Sequence, residues 1–238
     1  MSFQFKYFQV EDSHSTMKVG TDSMLLGAWS NPGDAKSILD IGTGCGILSL
    51  MMAQKSDASV DAIDIHAPSV AEAKSNFIKS PWAERLDAFC MPLQEYAEKS
   101  GRKYDLIITN PPYFTGSLKP ASEMRMISRH EISMSYSTLI RWSVSLMHRQ
   151  SSLSLLLPVK QSRIFTGIAA GENLHPVRKL VVRPFRTKPP NLILMRFGFG
   201  IPSNLMEDEL VIMTPEGRFT TPYLSLTRNF HQFAQQDR

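Results

Sequence analysis

The run Ile38-Leu39-Asp40-Ile41-Gly42-Thr43-Gly44-Cys45-Gly46-Ile47-Leu48 constrains this chain more than any other stretch. An apolar segment of strand length enters three glycines at alternate positions, and an apolar segment of helical length follows. Glycines there let the backbone turn sharply and approach a ligand closely. The helix behind such a turn presents free N–H groups and the positive end of its dipole. A Gly-x-Gly-x-Gly turn also occurs as a plain connection. Its place between a first strand and a first helix favours ligand binding. A pyrophosphate site would carry Gly-x-Gly-x-x-Gly instead, so this spacing, preceded by Asp40, points to a different ligand.

From this turn onward the pattern alternates. Strands are predicted over 37–41, 60–65, 86–91, 104–109 and 153–157, with helices over 47–54, 69–78 and 138–147 and a helical turn over 93–98. The strand over 104–109 is almost wholly apolar, as when both faces of a sheet are covered. Such alternation predicts an α/β fold with a doubly wound, mostly parallel, Rossmann-like sheet. Residues 179–182, 192–198 and 209–213 read as strands without full helices between them, so an antiparallel strand is expected near the C-terminus. Residues 37–238 are expected to form one domain, with residues 1–36 an N-terminal extension packed on it. Within the extension Phe3, Phe5, Tyr7, Phe8 and Val10 alternate like a strand. Thr21 or Asp22 suits a helix N-cap, with Met24, Leu25, Ala28 and Trp29 at helical spacing and Asn31-Pro32-Gly33 as the stop.

Composition narrows the class. The chain of 238 residues is 42% hydrophobic and 20% charged, ordinary values for a globular protein, and it is long enough for a core without staples. No apolar run approaches the ~18 residues of a membrane span. The N-terminus lacks the apolar region of a signal peptide, so a cytoplasmic protein is expected. Cys45 and Cys90 are too few for a disulfide framework and show no metal spacing. Both lie in hydrophobic stretches and read as reduced core thiols. The net charge of +4 permits a polyanionic partner. Cations gather at Arg178, Lys179, Arg183, Arg186 and Lys188, and again at Arg125, Arg129 and His130. Each group serves either as a solvated surface or as a hold on a nucleic-acid backbone.

Asn110-Pro111-Pro112-Tyr113 follows the predicted strand over 104–109, at the carboxyl edge where open α/β sheets do their chemistry. A planar amino group offers two hydrogens and needs two acceptors. The Asn110 side-chain oxygen supplies one and the Pro111 carbonyl the other. Successive prolines fix φ and remove competing N–H donors. Tyr113 can stack on the ring that bears the amine. By itself the run could also be an ordinary turn with a buried tyrosine. Asp64 stands near the end of the predicted strand over 60–65, where a carboxylate is either a strand-end turn residue or an acceptor for the vicinal hydroxyls of a ribose.

Asp40-Ile-Gly-Thr-Gly-Cys-Gly46, Asp64 and Asn110-Pro-Pro-Tyr113 together resemble the class I methyltransferases that carry an Asn/Asp-Pro-Pro-Tyr motif. The resemblance implies S-adenosylmethionine as cofactor. It implies cofactor contacts from Asp40, Gly42, Thr43, Gly44, Gly46 and Asp64, with Asn110, Pro111, Pro112 and Tyr113 catalytic. That group includes adenine-N6 enzymes, guanine-N2 enzymes and glutamine-N5 enzymes of proteins, and its motifs alone do not choose among them. A separate N-terminal helical domain, usual in the glutamine enzymes, has too few residues before Ile38. An inactive nucleic-acid-binding relative would not be expected to keep Asp40, the glycines and Asn110.

Three further stretches are similar to the bacterial tRNA1(Val) (adenine(37)-N6)-methyltransferase family: Met17-Lys-Val-Gly-Thr-Asp-Ser-Met-Leu-Leu-Gly-Ala-Trp29, Asn76-Phe-Ile-Lys-Ser-Pro-Trp82 and Ser128-Arg-His130. That likeness implies methylation of adenosine 37 beside the anticodon of a valine tRNA, with Thr21 and Asp22 over the cofactor pocket. Arg129, His130, Arg183, Arg186 and Lys188 become the candidates for holding RNA. No metal, membrane or obligate protein partner is expected. Relatives often carry a second acid two positions after the ribose carboxylate; here His66 stands there. The acid expected to read the adenine ring after the third strand is also missing, which leaves a backbone N–H near Pro92–Leu93 or the Gln94 side chain.

Overall fold

The structure is a computed structural model that describes residues 1–16, 18–112 and 136–231. A hairpin of β1 (Ser2–Gln4) and β2 (Gln9–Glu11) comes first, then α1 (Thr21–Trp29). The central alternation follows as β3 (Ser37–Ile41), α2 (Ile47–Lys55), β4 (Ser59–Asp64), α3 (Ala67–Ile78), β5 (Leu86–Cys90), α4 (Leu93–Ser100) and β6 (Tyr104–Thr109). After it come α5 (Tyr136–Ser145), β7 (Met147–Pro158), α6 (Val159–Gly171), β8 (Leu174–Phe185), β9 (Leu192–Phe199), β10 (Met206–Met213) and α7 (Thr221–Thr227). Eight strands form one sheet in the order β10-β8-β9-β7-β6-β3-β4-β5. β9 alone runs against its neighbours, pairing antiparallel with both β7 and β8. The expected doubly wound sheet with an antiparallel strand near its C-terminal end is therefore present.

Strand periodicity sorts the core into two layers. Ile38, Val60, Ala62, Leu106 and Ile108 face α1, α2, α3 and α7, where Leu25, Leu50, Val70, Phe77 and Tyr223 meet them. Leu39, Ile41, Ile63 and Ile107 face α4, α5 and α6, against Tyr96, Leu139, Ile140 and Phe165. Alternate residues of one strand thus serve opposite layers, which is why these strands read as apolar throughout. α1 lies close on α2: a Cβ at Gly27 would sit 2.3 Å from the Met51 sulfur. Among the described residues no helix is long and apolar enough to cross a membrane.

Several details differ from the sequence reading. The alternating N-terminal apolars do not make one strand. Phe5 and Phe8 lie at the bend of the hairpin with their rings stacked 4.6 Å apart, so pairing of aromatics across the turn wins over extension. The cap of α1 is Gly20 rather than Thr21 or Asp22, and the Gly20 N–H donates to the Ser23 hydroxyl at 3.3 Å. Cys45 is buried as expected, but Cys90 is exposed, because it ends β5 at the open edge of the sheet. The helix α6 was not legible. Pro158 both ends β7 and occupies the cap of α6, a position that tolerates a residue lacking an N–H.

β9 also decides what reaches the carboxyl edge. It pairs Leu192 with Pro158, the last residue of β7, so the turn between β8 and β9 emerges beside the end of β7. The Val159 N–H donates to the Asn191 carbonyl at 3.2 Å and pins that turn.

Candidate active site

The glycine turn is tied to the strand beside it. The N–H groups of Gly42 and Thr43 both donate to the Ile63 carbonyl, at 2.8 and 3.0 Å. The Gly44 N–H donates to Asp64 Oδ2 at 2.9 Å. Gly42, Gly44 and Gly46 all adopt positive φ. Only glycine does this cheaply, and at Gly46 space enforces it as well: a Cβ would lie 2.4 Å from the Phe77 ring of α3. The turn's shape is therefore set by hydrogen bonds to β4 and by packing on α3.

Asp40 lies directly beneath it and is wholly buried. Its Oδ2 accepts from the Thr43 hydroxyl at 2.7 Å, the Ser49 hydroxyl at 2.7 Å and the Ser49 N–H at 3.2 Å. Its Oδ1 is buried with no partner among the described residues. Burial pushes the carboxyl up to about 6, against the pull of the Thr43 and Ser49 hydrogen bonds. A carboxylate half satisfied by the protein and half bare is a site for a cationic donor.

Asp64 ends β4 and is partly exposed. Besides holding Gly44 through Oδ2, it accepts from the His66 N–H at 2.9 Å through Oδ1. Each oxygen keeps further acceptor capacity, so the same side chain can brace the turn and meet a diol. His66 has a structural job: as the cap of α3, its Nδ1 accepts from the Ser69 N–H at 3.3 Å.

Asn110 follows β6 and is 6% exposed. Its Oδ1 is a second buried oxygen without a partner among the described residues. Thr109, just before it, anchors the strand end by donating from its hydroxyl to the Ile41 carbonyl at 2.8 Å. Pro111 is buried and Pro112 exposed. Asn110 lines one cleft with Gly42, Thr43, Cys45, Ile47 and Leu48, and Lys18 and Ser23 close it from the N-terminal side. The stretch 18–23 thus overlies the glycine turn. Thr21 is exposed and Asp22 half-buried, and neither lines that cleft. Tyr113 lies outside the described residues.

Sequence reasoning overlooked Ser49, whose signal was there: a lone hydroxyl in the apolar run Ile47-Leu-Ser-Leu-Met-Met-Ala53. Lys18 and Ser23 carried no such signal, because only the fold brings them to the turn. Of the two candidates for the adenine ring, Gln94 is engaged with Glu98 at 3.1 Å. It lines a separate cleft of about 500 Å³ between α4 and α5. The N–H of Leu93, in the first turn of α4, has no acceptor within the helix.

The basic segment divides. On β8, Arg178, Lys179 and Arg183 pair with Asp208, Glu207 and Glu209 of the neighbouring β10. Arg186 and Lys188 lie in the exposed β8–β9 turn, at the same carboxyl edge as Asn110. Arg129 and His130 lie outside the described residues.

Residues 12–132 match the family model of the methyltransferase small domain. The chain is 38% identical over 230 residues to a tRNA1(Val) (adenine(37)-N6)-methyltransferase of Bacteroides fragilis, covering 96% of this chain and 97% of the relative. It is 35% identical to the protein of the same name from Edwardsiella ictaluri, covering 97% and 94%. Among solved structures, an Agrobacterium tumefaciens protein described as a predicted O-methyltransferase superposes with a TM-score of 0.69 at 17% identity, over 88% of this chain and 96% of that one. A ribosomal protein L11 methylase from Lactobacillus delbrueckii does so with a TM-score of 0.52 at 17% identity, over 75% and 77%. At that identity the two structures establish the fold alone.

Proposed function

Because this chain belongs to the bacterial tRNA1(Val) (adenine(37)-N6)-methyltransferase family, we propose that it methylates N6 of adenosine 37 in the anticodon loop of tRNA1(Val), using S-adenosylmethionine. One observation carries the chemistry. Two buried, unpartnered oxygens, Asp40 Oδ1 and Asn110 Oδ1, flank a single glycine turn. The first suits an ammonium group and the second a neutral planar amine.

The residues fit the cofactor. Asp40 takes the amino group of its methionine part, and the turn from Gly42 through Thr43 and Gly44 to Gly46 admits that chain closely. Asp64 meets the ribose hydroxyls, and the Leu93 N–H suits the adenine edge. When bound, S-adenosylmethionine supplies a methyl group on a positively charged sulfur. Thr21 and Asp22 stand at the start of α1, near the rim of the same cleft.

Asn110 Oδ1 accepts one hydrogen of the adenine amine and the Pro111 carbonyl the other. The amine lone pair is delocalised into the ring. Two acceptors on its hydrogens favour a tetrahedral nitrogen whose lone pair is free to attack. They also stabilise the positive charge that develops on nitrogen, an electrostatic contribution fixed in advance by the fold. Holding the amine in line supplies much of the remaining advantage, since orientation alone is worth roughly 7–11 kcal/mol. Pro112 keeps the backbone from turning away, and Tyr113 would stack on the flipped base. The nitrogen sheds its extra proton once it has become a cation, so no strong base is required at Asn110.

Recognition of the RNA falls to the exposed cations. We assign Arg186 and Lys188 to the phosphate backbone, with Arg129 and His130 as further candidates. Arg183 carries less, because Glu209 already occupies it. The direct test is transfer of labelled methyl to a tRNA1(Val) transcript and to the same transcript with guanosine at position 37. Label in the first alone is expected. Equal labelling of both would overturn the assigned base.

A further inference from the structure

The N-terminal segment reaches the glycine turn through side chains of α3, and three of them form one stripe. Ser69, Glu72 and Asn76 sit at i, i+3 and i+7, on one side of the helix, and all are buried. Glu72 accepts from the His14 N–H at 2.9 Å and from the Ser15 N–H at 2.8 Å, one through each oxygen. Ser69 Oγ accepts from the Thr16 N–H at 3.3 Å. Asn76 Oδ1 accepts from the Glu11 N–H at 3.0 Å, and its Nδ2 donates to the Glu11 carbonyl at 2.8 Å. The same Nδ2 donates to the Cys45 carbonyl, inside the glycine turn, at 2.8 Å.

One amide thus joins the N-terminal segment to the turn. From there the segment closes on itself. Asp12 Oδ2 accepts from the Val19 N–H at 3.0 Å, and Lys18 Nζ donates to the Asp12 and Ser13 carbonyls. This brings Lys18 and Ser23 against Gly42, Thr43 and Asn110. Among the described residues the segment makes no ladder with the main sheet. Its hairpin end is held by the packing of Phe8 on Trp82 and by the Lys6 N–H on the Phe230 carbonyl, and residues 11–16 are held by this stripe.

We propose that Glu72 and Asn76 are positioning residues for cofactor retention. They hold residues 11–16 on α3, and through them they seat Lys18 and Ser23 as the outer wall of the cofactor cleft. The inference rests on reading the glycine turn as the S-adenosylmethionine site. It also gives a role to the stretch that begins at Asn76, which the transfer chemistry leaves unused.

The experiment is calorimetric binding of S-adenosylmethionine to the full chain, with hydrogen exchange on the same samples. Asn76→Asp sets a carboxylate oxygen against the Glu11 and Cys45 carbonyls. It should weaken binding roughly tenfold, the scale of a lost hydrogen bond to a charged or buried group. Glu72→Gln keeps the shape, loses one acceptor and should weaken binding by about three- to tenfold. Both should speed exchange at the His14, Ser15 and Val19 amides while those of β3 and β6 stay protected. KM for the cofactor should rise with kcat at saturation nearly unchanged. Lys79→Ala, which removes only the exposed pair with Glu11, should bind like the parent. If Asn76→Asp fails to fold, Glu72→Gln decides alone. Faster exchange over 11–20 with unchanged affinity would overturn the proposal, as would weaker binding that tracks a general loss of protection. Failure of the unsubstituted protein to bind would instead overturn the cofactor reading beneath it.

Discussion

Each face of the sheet buries one carboxylate near the middle strands, and the two are treated oppositely. Asp61 of β4 faces α4. Its Oδ2 accepts from the Tyr96 hydroxyl at 2.8 Å, from the Tyr104 hydroxyl and from Arg102 at 2.6 Å. Asp40 of β3 faces α2 and leaves Oδ1 bare. The two lie one position apart in register, since Asp61 pairs with Leu39 and Asp40 with Ala62. Burial and strand type are therefore shared, and only the partners differ. Both take three donors on Oδ2, but those of Asp61 include the Arg102 cation, whereas those of Asp40 are two hydroxyls and an N–H and its Oδ1 is buried without a partner among the described residues, which suits a cationic donor. Asn110 extends the second case from a charged oxygen to a neutral one.

That contrast can be broken most forcefully at the bare oxygens. Asn110→Ala should lower kcat by roughly 10²–10³ or more, the cost of one preorganised transition-state partner, while S-adenosylmethionine affinity stays within about twofold. Methyl-transfer kinetics beside calorimetry check this, and a parallel loss of affinity would move Asn110 into the cofactor site. At Asp61 the loss should be in stability. Asp61→Ala leaves two buried phenols and a guanidinium without their acceptor, so about 2–3 kcal/mol should be lost on denaturant titration. The activity of the folded fraction should not change.

Asp40 sharpens the comparison through pH. Its carboxyl titrates at about 6 in the fold against 3.8 unfolded. Between those values the folded chain holds more protons, so Asp40 costs stability as pH rises through that window. The cofactor ammonium needs the ionised form. Affinity should therefore fall about tenfold from pH 7 to pH 5, and Asp40→Asn should flatten the profile at the weaker level. A wild-type affinity independent of pH over that range would deny Asp40 the contact.

The smallest effect concerns the rim. Arg186→Ala with Lys188→Ala should raise KM for tRNA by several-fold at low salt. Each phosphate contact removed should lower the salt slope by roughly 0.7–0.9. Arg183→Ala should do less, being already paired with Glu209. If Arg183→Ala proves as costly as the double change, the ion pair on β10 is not holding it in reserve.

What the sequence disclosed follows the range of the interactions. The strand from Ser37 to Ile41, the glycine turn and Asn110 are local patterns, each specified within about ten residues, and their readings stand close to the observed elements. The role of Asp64 as a brace for Gly44 was not legible, because it depends on two strands coming into register. Lys18 and Ser23 were hidden because only the folding of the N-terminal segment onto α3 brings them to the glycine turn. The pairing of Arg183 with Glu209 joins residues on two strands of the final region, and nothing in either segment announces the other.

The reversed direction of β9 has a consequence for how such an enzyme can change. A parallel sheet sends the chain across a face between neighbouring strands, so each loop at the working edge requires a whole helix. β8 and β9 meet through a turn of a few residues instead, and that turn bears Arg186 and Lys188. It shares no hydrogen bond with the glycine turn or with Asn110 among the described residues. On the proposed assignment, the cations that hold the RNA backbone and the groups that position the methyl transfer stand on separate supports. Exchanging residues 186–190 should change how tightly nucleic acid is held while leaving intact the machinery that acts on it.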